Sequence, residues 1–401
     1  MFPNDGVSCE KMAQKKDNMN VLVVGELHQD LFYRTDAFGR IADAISSDVQ
    51  INLESLQANT SDVKSQLRGI VMKSIGRTAK KYGGESYIKR GGNGNNSATI
   101  LAKINVPTGL CTVVGRGSDW MIPEVKALGI DTSTIFKKDA PTPISTIIED
   151  PETTKIFVAP NFKKDMNFRG IKLPDNLYRN SLIVFFTPMD KKYKHLLEVA
   201  NLSGKLTAFT LELQKIDNFP DLKECVGVKS EFLFCNLNDA LKVCESEIGE
   251  KIPRMEEYKV KHEGEDAKIE ADYQEMKVEK VDAVLREFAN IRIYTMGKYG
   301  AWLRFGPKKE PRMLHQKIID LPVINRTGAG DTFAAGFIGK LFEKIGSEQS
   351  YKEMSDGEKE WMFKVCLLYA TAASALKVST GDAPKKSDIV ELIQKQKQKG
   401  K

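Results

Sequence analysis

Pro322-Val323-Ile324-Asn325-Arg326-Thr327-Gly328-Ala329-Gly330-Asp331-Thr332-Phe333-Ala334-Ala335-Gly336-Phe337 carries a short apolar run into a turn of small residues and then into an amphipathic helix. The first backbone N–H groups of a helix lack intrahelical partners and the helix dipole adds partial positive charge. Gly328, Ala329 and Gly330 therefore read as a cradle for an anion such as a phosphate. Glycine allows that approach because it has no Cβ. Asp331 follows the cradle, where a carboxylate within reach of a hydroxyl orients it and accepts its proton, as phosphoryl transfer requires. The same residues have a second reading, in which Asp331 caps the helix and the glycines make a turn. Spacing alone leaves both open.

Working outward, Val21-Leu22-Val23-Val24 is a largely β-branched run ending at Gly25, the pattern of a buried parallel strand entering an active-site loop. Similar runs recur at Cys111–Val114, Leu182–Phe186, Leu206–Leu211, Glu231–Cys235 and Ile291–Thr295, with helical patterns such as Tyr193–Leu202 and Val278–Phe288 between several of them. Strands alternating with helices imply an α/β fold, a Rossmann-like, mainly parallel sheet with helices on both faces. Ile144–Ile148 and Lys155–Val158 form a β-hairpin pattern around Glu149-Asp150-Pro151-Glu152, which suits a small β-lid. Residues 31–90 show no clear repeating pattern. The Glu/Lys-dense stretch 249–280 reads as a charged surface insertion without chemistry, residues 1–20 as a flexible polar leader, and residues 393–401 as a frayed basic tail.

The 401 residues, 41% hydrophobic and 28% charged, provide for one large domain with an appendage and exclude a disordered chain. Six cysteines lie far apart with no CxxC pair, so they read as reduced thiols and not as a disulfide or zinc framework. No signal-type segment and no stretch of membrane-spanning length is read from the sequence, which implies a cytoplasmic protein and makes the sequon Asn59-Thr60-Ser61 a chance match. The net charge of +6 comes from 60 basic and 54 acidic residues that are mixed along the chain, so neither membrane nor nucleic acid is expected as a partner. Ser203-Gly204-Lys205-Leu206 lacks the upstream glycine and the hydroxyl of a P-loop, and protein-kinase signatures such as H-R-D are absent.

Asn325–Asp331 resembles the C-terminal signature of the ribokinase/PfkB family of carbohydrate and nucleoside kinases. The resemblance implies that Asp331 is the catalytic base and that Gly328, Ala329 and Gly330 form the anion hole. Gly91-Gly92-Asn93-Gly94-Asn95-Asn96-Ser97-Ala98 is similar to the family's N-terminal signature, in which the paired glycines hinge a lid. Gly91, Gly92 and Asn96 are then substrate-binding, Asn96 toward sugar hydroxyls; an ordinary Gly/Asn loop is the other reading. Gly25-Glu26-Leu27-His28-Gln29-Asp30 resembles the strand-end loop whose Asp grips substrate hydroxyls, which assigns Asp30 and leaves His28 a surface or satisfied loop histidine.

Cys235-Asn236-Leu237-Asn238-Asp239 is similar to the family's Asn-x-x-Glu element, with Asp239 in place of Glu. It implies that Asn236 lies near the nucleotide phosphates and that Asp239 organises Mg2+ through water with a shorter reach, an Asx-type cap being the alternative. Thr295-Met296-Gly297-Lys298-Tyr299-Gly300-Ala301 resembles the strand-turn-strand that contacts ATP through residues at Thr295, Gly297 and Gly300. Tyr369–Leu376 and Gly381 are similar to the lining of the adenine site. Asn325 is neutral where many relatives have the Asp of a monovalent-cation site, and Arg326 stands where Thr is common, so ATP and Mg2+ are implied while a K+ requirement stays open.

The ordered motifs span residues from Val21 to about Ile389 and imply a ribokinase-like domain over 21–392, with lid elements within 31–90 and 140–160. The implied activity is transfer of the γ-phosphate of ATP to a hydroxyl of a sugar. A nucleoside (adenosine-type) kinase and a non-catalytic ligand-binding member are the alternatives. Relatives often dimerise through their lids, which makes a homodimer an option.

Overall fold

The alternation of apolar runs and amphipathic stretches resolves, in a computed structural model of the chain, into strands and helices that alternate along most of its length. The structure describes residues 20–35, 83–149, 154–158, 164–213, 215–249, 251–262 and 266–399, with isolated positions between 40 and 73. The leader up to residue 19 with Cys9, the sequon at Asn59, most of the 31–90 segment, Asp150-Pro151-Glu152 of the hairpin turn and the last two residues of the tail lie outside the described residues.

The strands are β1 (Asn20–Gly25), β2 (His28–Arg34), β3 (Glu85–Gly91), β4 (Thr108–Arg116), β5 (Ile135–Pro141), β6 (Ile144–Glu149), β7 (Thr154–Val158), β8 (Ser181–Thr187), β9 (Leu206–Leu211), β10 (Ser230–Asn236), β11 (Ala289–Thr295), β12 (Ala301–Phe305) and β13 (Arg312–Gln316). The α-helices are α1 (Asn93–Lys103), α2 (Met121–Ala127), α3 (Lys194–Leu202), α4 (Phe219–Cys225), α5 (Leu237–Val243), α6 (Met255–Lys261), α7 (Asp266–Leu285), α8 (Ala329–Lys344), α9 (Glu348–Glu353), α10 (Asp356–Thr380) and α11 (Lys386–Lys399).

The chain divides into two units, one of residues 1–27, 92–139 and 166–401, the other of 28–91 and 140–165. In the first, the sheet order is β13-β12-β11-β10-β9-β8-β1-β4-β5. The pairs from β4 through β1, β8, β9 and β10 to β11 are parallel, whereas β12 and β13 are antiparallel additions at one edge. Because strand side chains alternate between faces, β1 feeds two cores. Val21 and Val23 join a cluster with Leu101 of α1, Phe337 of α8 and Phe363 of α10. Leu22 and Val24 join one with Leu197 of α3, Leu222 of α4 and Val281 of α7. The sheet is thus mainly parallel and covered on both faces, as the alternation of runs implies.

The second unit holds a four-stranded sheet, β3-β2-β6-β7. β6 and β7 pair antiparallel with Ser145 opposite Val158, the hairpin expected there, while β2 pairs parallel with β6 and antiparallel with β3.

Three expectations change. The stretch 393–399 belongs to α11, which runs to Lys399, so it is ordered as helix and not frayed. Charge density hid this because the buried Ile389 and Leu392 anchor the preceding turns. The 249–280 stretch is not purely a surface insertion: α7 buries Ile269, Tyr273, Gln274 and Val278 within it and continues to Leu285. Finally, α10 is long and apolar enough, by length and composition, to cross a membrane; half of its most apolar window is buried, and Met362, Phe363, Cys366 and Leu367 lie in the core. A core helix meets that test because it must be apolar wherever it is packed. The five described cysteines are free and buried.

The carboxyl end of β1 is shaped by close backbone approach. A Cβ on Gly25 would lie 2.3 Å from the Thr187 carbonyl oxygen and 2.7 Å from Gly94 Cα. Neither backbone atom yields easily. Gly25→Ala is expected to cost about 1–3 kcal/mol or more and to lower the melting temperature measurably by calorimetry; a variant that melts with the parent chain would show that β1 and α1 separate freely.

Candidate active site

Asp331 sits in the first turn of α8 and is buried. The helix is held by aromatic packing behind it: the Phe337 ring meets Phe234 of β10 edge-on at 5.4 Å between centroids and tilts against Phe232 at 6.1 Å. Such pairs contribute about 0.5–1.5 kcal/mol each beyond area burial. The turn before α8 is closed by side chains. Asn325 Oδ1 accepts from the Thr327 amide at 2.8 Å, and Gly328 takes φ 75°, a left-handed conformation that favours glycine. The Ser374 hydroxyl of α10 donates to the Ala329 carbonyl at 3.1 Å.

The cradle differs in one respect from the sequence reading. Ala329 donates its amide to the Arg326 carbonyl at 3.2 Å, completing the turn. The amides of Gly330 and Asp331 have no acceptor among the described residues, as helix geometry dictates for a first turn. The Gly328 amide likewise has no acceptor among the described residues, so of the three residues read as the cradle only Ala329 spends its amide inside the turn. The apolar residues preceding the turn, Val323 and Ile324, are exposed.

The capping reading of Asp331 is excluded by its partners. Asn93 Nδ2 donates to Asp331 Oδ1 at 3.1 Å, and Asn96 Nδ2 donates to Asp331 Oδ2 at 3.0 Å. Asn93 and Asn96 lie three residues apart in the first turn of α1 and so share a face. Gly92, the residue before α1, has φ 95°. Burial pushes the Asp331 carboxyl up to about 6, against the two amide hydrogen bonds and the nearby Lys377 charge, which favour the carboxylate.

The Asn93 amide nitrogen also donates to Glu212, which directly follows β9. Burial, followed by the charges of Asp331 and Glu26, raises Glu212 to about 7. Glu26, just beyond β1, is buried and accepts from Lys215 at 2.6 Å and Lys192 at 3.1 Å. Asp190 lies 3.6 Å and 3.9 Å from the same two lysines. Burial lowers Lys192; at Lys215 burial acts the same way, but the Glu26 carboxylate outweighs it and the lysine is raised.

These side chains come from the carboxyl ends of β1, β8 and β9, where open α/β sheets place ligands. The sequence reading did not select Asn93, Glu26, Glu212, Lys192, Lys215 or Lys377. The position of Glu26 and Glu212 just past apolar runs was the available signal.

Asn236 and Thr295 end β10 and β11 and stand opposite each other in register. Asn236 caps α5, accepting from the Asn238 amide at 2.9 Å, and Asp239 lies in the first turn of that helix, so the cap geometry is present at the motif. Gly297 has φ 53° with open space around it. Gly300 has a structural reason to be glycine: at φ 83°, a Cβ would lie 2.1 Å from the Gln316 carbonyl oxygen of β13. Among the described residues no group of three or more His, Cys, Asp or Glu is placed so that it could hold a metal ion.

In the second unit Asp30 lies within β2, paired opposite Lys89, and not in a strand-end loop. β2 begins at His28, so only Glu26 and Leu27 separate it from β1. His28 is a satisfied histidine, not a surface one, and it sits in the strand and not in a loop: it is buried, with Nε2 3.1 Å from the Ser145 hydroxyl and 3.1 Å from Asp30 Oδ1. Gly91 leaves room for that carboxylate, since a Cβ there would overlap it at 2.0 Å. The boundary between the units falls between Gly91 and Gly92.

Residues 69–388 match the pfkB family carbohydrate kinase pattern. The chain is similar in structure to ribokinase from Giardia lamblia, with 16% identity, a TM-score of 0.65, and coverage of 94% of this chain and 99% of that one. Ribokinase from Arabidopsis thaliana complexed with ribose and ATP shares 17% identity at a TM-score of 0.61, and the nucleoside kinase from Methanocaldococcus jannaschii 18% at 0.57, each over 94% of this chain and 99% of its own. At such identities the likeness speaks for the fold. No curated protein matches the chain by sequence.

Proposed function

Because the chain belongs to the pfkB family of carbohydrate kinases, we propose that it transfers the γ-phosphate of ATP to a hydroxyl of a small polyol, a sugar in the first place and a nucleoside in the second. The observation that carries this reading is the arrangement at Asp331: a buried carboxylate, each oxygen held by an asparagine amide, on the first turn of a helix whose Gly330 and Asp331 amides face outward. The amides of Asn93 and Asn96 fix the carboxylate plane. Asp331 orients the acceptor hydroxyl and takes its proton as the oxygen attacks phosphorus, while the helix amides stabilise charge on the transferring group.

The nucleotide phosphates are assigned to Asn236, Thr295 and Gly297. Among the described residues Asp239 belongs to no group of three His, Cys, Asp or Glu that could hold a metal, and a single carboxylate suits Mg2+ held mainly by water and phosphate oxygens. When bound, the ion neutralises phosphate charge.

ADP release is to be measured across sugars, sugar phosphates and nucleosides, with and without potassium. ATP-dependent turnover of at least one acceptor is expected, and binding of ATP and a sugar with no ADP formed would sink the proposal in favour of a non-catalytic member. The base works only when ionised, so activity is expected to fall as pH drops through about 6, where Asp331 takes up its proton. A rate flat from neutral pH down to about pH 5 would count against Asp331 as base.

A further inference from the structure

One amide group ties two acids together. Asn93 Nδ2 donates to Asp331 Oδ1 at 3.1 Å and to Glu212, so the two carboxylates stand within the span of a single side-chain NH2. A ligand hydroxyl at Asp331 therefore has a second acceptor group close by, at the distance of a neighbouring hydroxyl on the same small molecule. Glu212 belongs to no motif recognised in the sequence and has no part in the proton transfer described above.

The surrounding charges decide what such a ligand carries. Lys192 and Lys215 are both bonded to Glu26, at 3.1 Å and 2.6 Å, and both lie near Asp190, at 3.9 Å and 3.6 Å. Both lysines are engaged by these two carboxylates, and Lys215 also acts on Glu212 through its charge without an ion-pair contact. Lys377 of α10, which acts on Asp331, donates to the Gly381 carbonyl. Glu212 and Asp331 remain as acids without a direct lysine or arginine partner among the described ion pairs. An anionic group placed against them would meet like charge in a part-buried setting, which is strongly unfavourable.

We infer that Glu212 is a specificity-determining residue that accepts a second hydroxyl of the acceptor, adjacent to the one Asp331 deprotonates, so that this part of the site takes a neutral vicinal diol and rejects a phosphate or carboxylate there. The inference rests on the proposed kinase reading and narrows its substrate class. The charges that act on Glu212 are those of Asp331, Glu26 and Lys215.

The test compares the full chain with Glu212→Gln and Glu212→Asp, using ribose, fructose, a deoxy analogue lacking the neighbouring hydroxyl, fructose 6-phosphate and gluconate. A hydrogen bond to a charged group contributes about 1.5–3 kcal/mol, so Glu212→Gln is expected to lower kcat/KM for the neutral diol by about 10- to 100-fold, mainly through KM. The KM for ATP should stay unchanged. The deoxy analogue should be poor for the parent chain yet suffer little further loss in Glu212→Gln, a coupling that a merely structural role would not produce. Glu212→Asp, which keeps the charge, should recover part of the affinity and guards against misfolding of the first variant.

An unchanged deoxy penalty in Glu212→Gln, or fructose 6-phosphate or gluconate as the best acceptor of the parent chain, would overturn the inference. Calorimetric binding of the sugars separates it from the kinase reading. Diol binding that weakens in Glu212→Gln while no ADP forms leaves Glu212 as the specificity residue and overturns only the kinase reading.

Discussion

Asp331→Asn is expected to lower kcat at least about 100-fold while leaving the fold intact. The substitution keeps the shape of the side chain and removes the proton acceptor. Its amide would face the amides of Asn93 and Asn96, which now donate to the carboxylate at 3.1 Å and 3.0 Å, so at least one of these side chains must flip. ATP binding should change little, since the helix amides are backbone groups.

The stability effect has a definite sign. Burial raises Asp331 from 3.8 to about 6. Between those values the folded chain holds a proton that the unfolded chain has lost, so the stabilisation from this group is full below about 3.8 and is lost as pH rises through about 6. The replacement amide is uncharged at every pH and adds no titration of its own. Relative to the parent, Asp331→Asn should therefore gain at neutral pH and lose that advantage in acid. Paired thermal melts at acidic and neutral pH, alongside initial rates of ADP formation, check both halves; near-normal turnover would refute the assigned role.

Asp282→Ala is expected to be the most destabilising of these substitutions. The Asp282 side chain is completely buried, and Arg292 grips it with Nε to Oδ1 at 2.8 Å and Nη2 to Oδ2 at 2.9 Å. Arg286 Nη2 donates to Oδ2 at 3.0 Å, the Tyr294 hydroxyl to Oδ1 at 3.0 Å, and Arg304 Nε lies 3.7 Å away. Burial alone would raise Asp282, but the hydrogen bonds and charge of Arg292, with Arg286 and Arg304, hold it below the usual carboxylate value.

Removing Asp282 strips its partner from the buried Arg292 of β11 and Arg304 of β12 and from the partly buried Arg286 just after α7, with only Glu279 left 3.7 Å from Arg304, and breaking such a pair costs about 3–5 kcal/mol. The loss should appear as a lower denaturant midpoint with an unchanged m-value. Because the folded value is depressed, the stabilisation from Asp282 is present above its unfolded pKa and is lost as pH falls through its lower folded value. A midpoint equal to the parent's would mean that the guanidinium groups find water when the acid is gone.

The network also explains where reading by composition stopped short. Between residues 249 and 280 the density of Glu and Lys describes a solvated surface, and for α6 and the start of α7 that description serves. Yet α7 continues to Leu285, and its last turns pack Val281 and Leu285 under the sheet and carry Asp282 to three arginines. Charge pattern cannot reveal whether an Asp meets water or arginine. Asp30 shows the same limit: the resemblance of Gly25–Asp30 to a strand-end loop implied a loop, and the pairing of β2 with both β3 and β6 made it a strand residue. His28, polar and isolated in sequence, is buried by that same pairing.

The sequence by itself determined the α/β class, the parallel strands from β1 to β11, the small hairpin and the turn before Asp331, because each depends on local periodicity or on glycines whose backbone needs are local. It also sufficed for the family, through motifs in a preserved order. Only the tertiary structure decided what Asp331 touches. Spacing left a helix cap and a base equally open, and the carboxylate is held by Asn93, which lies 238 residues away in sequence, and not by a capping amide. The same folding brought Glu212 to Asn93 across 119 residues and set two lysines on Glu26. Burial, charge balance and shared hydrogen bonds arise only when distant strand ends converge, and they are what raise the Asp331 and Glu212 carboxyls above their ordinary range.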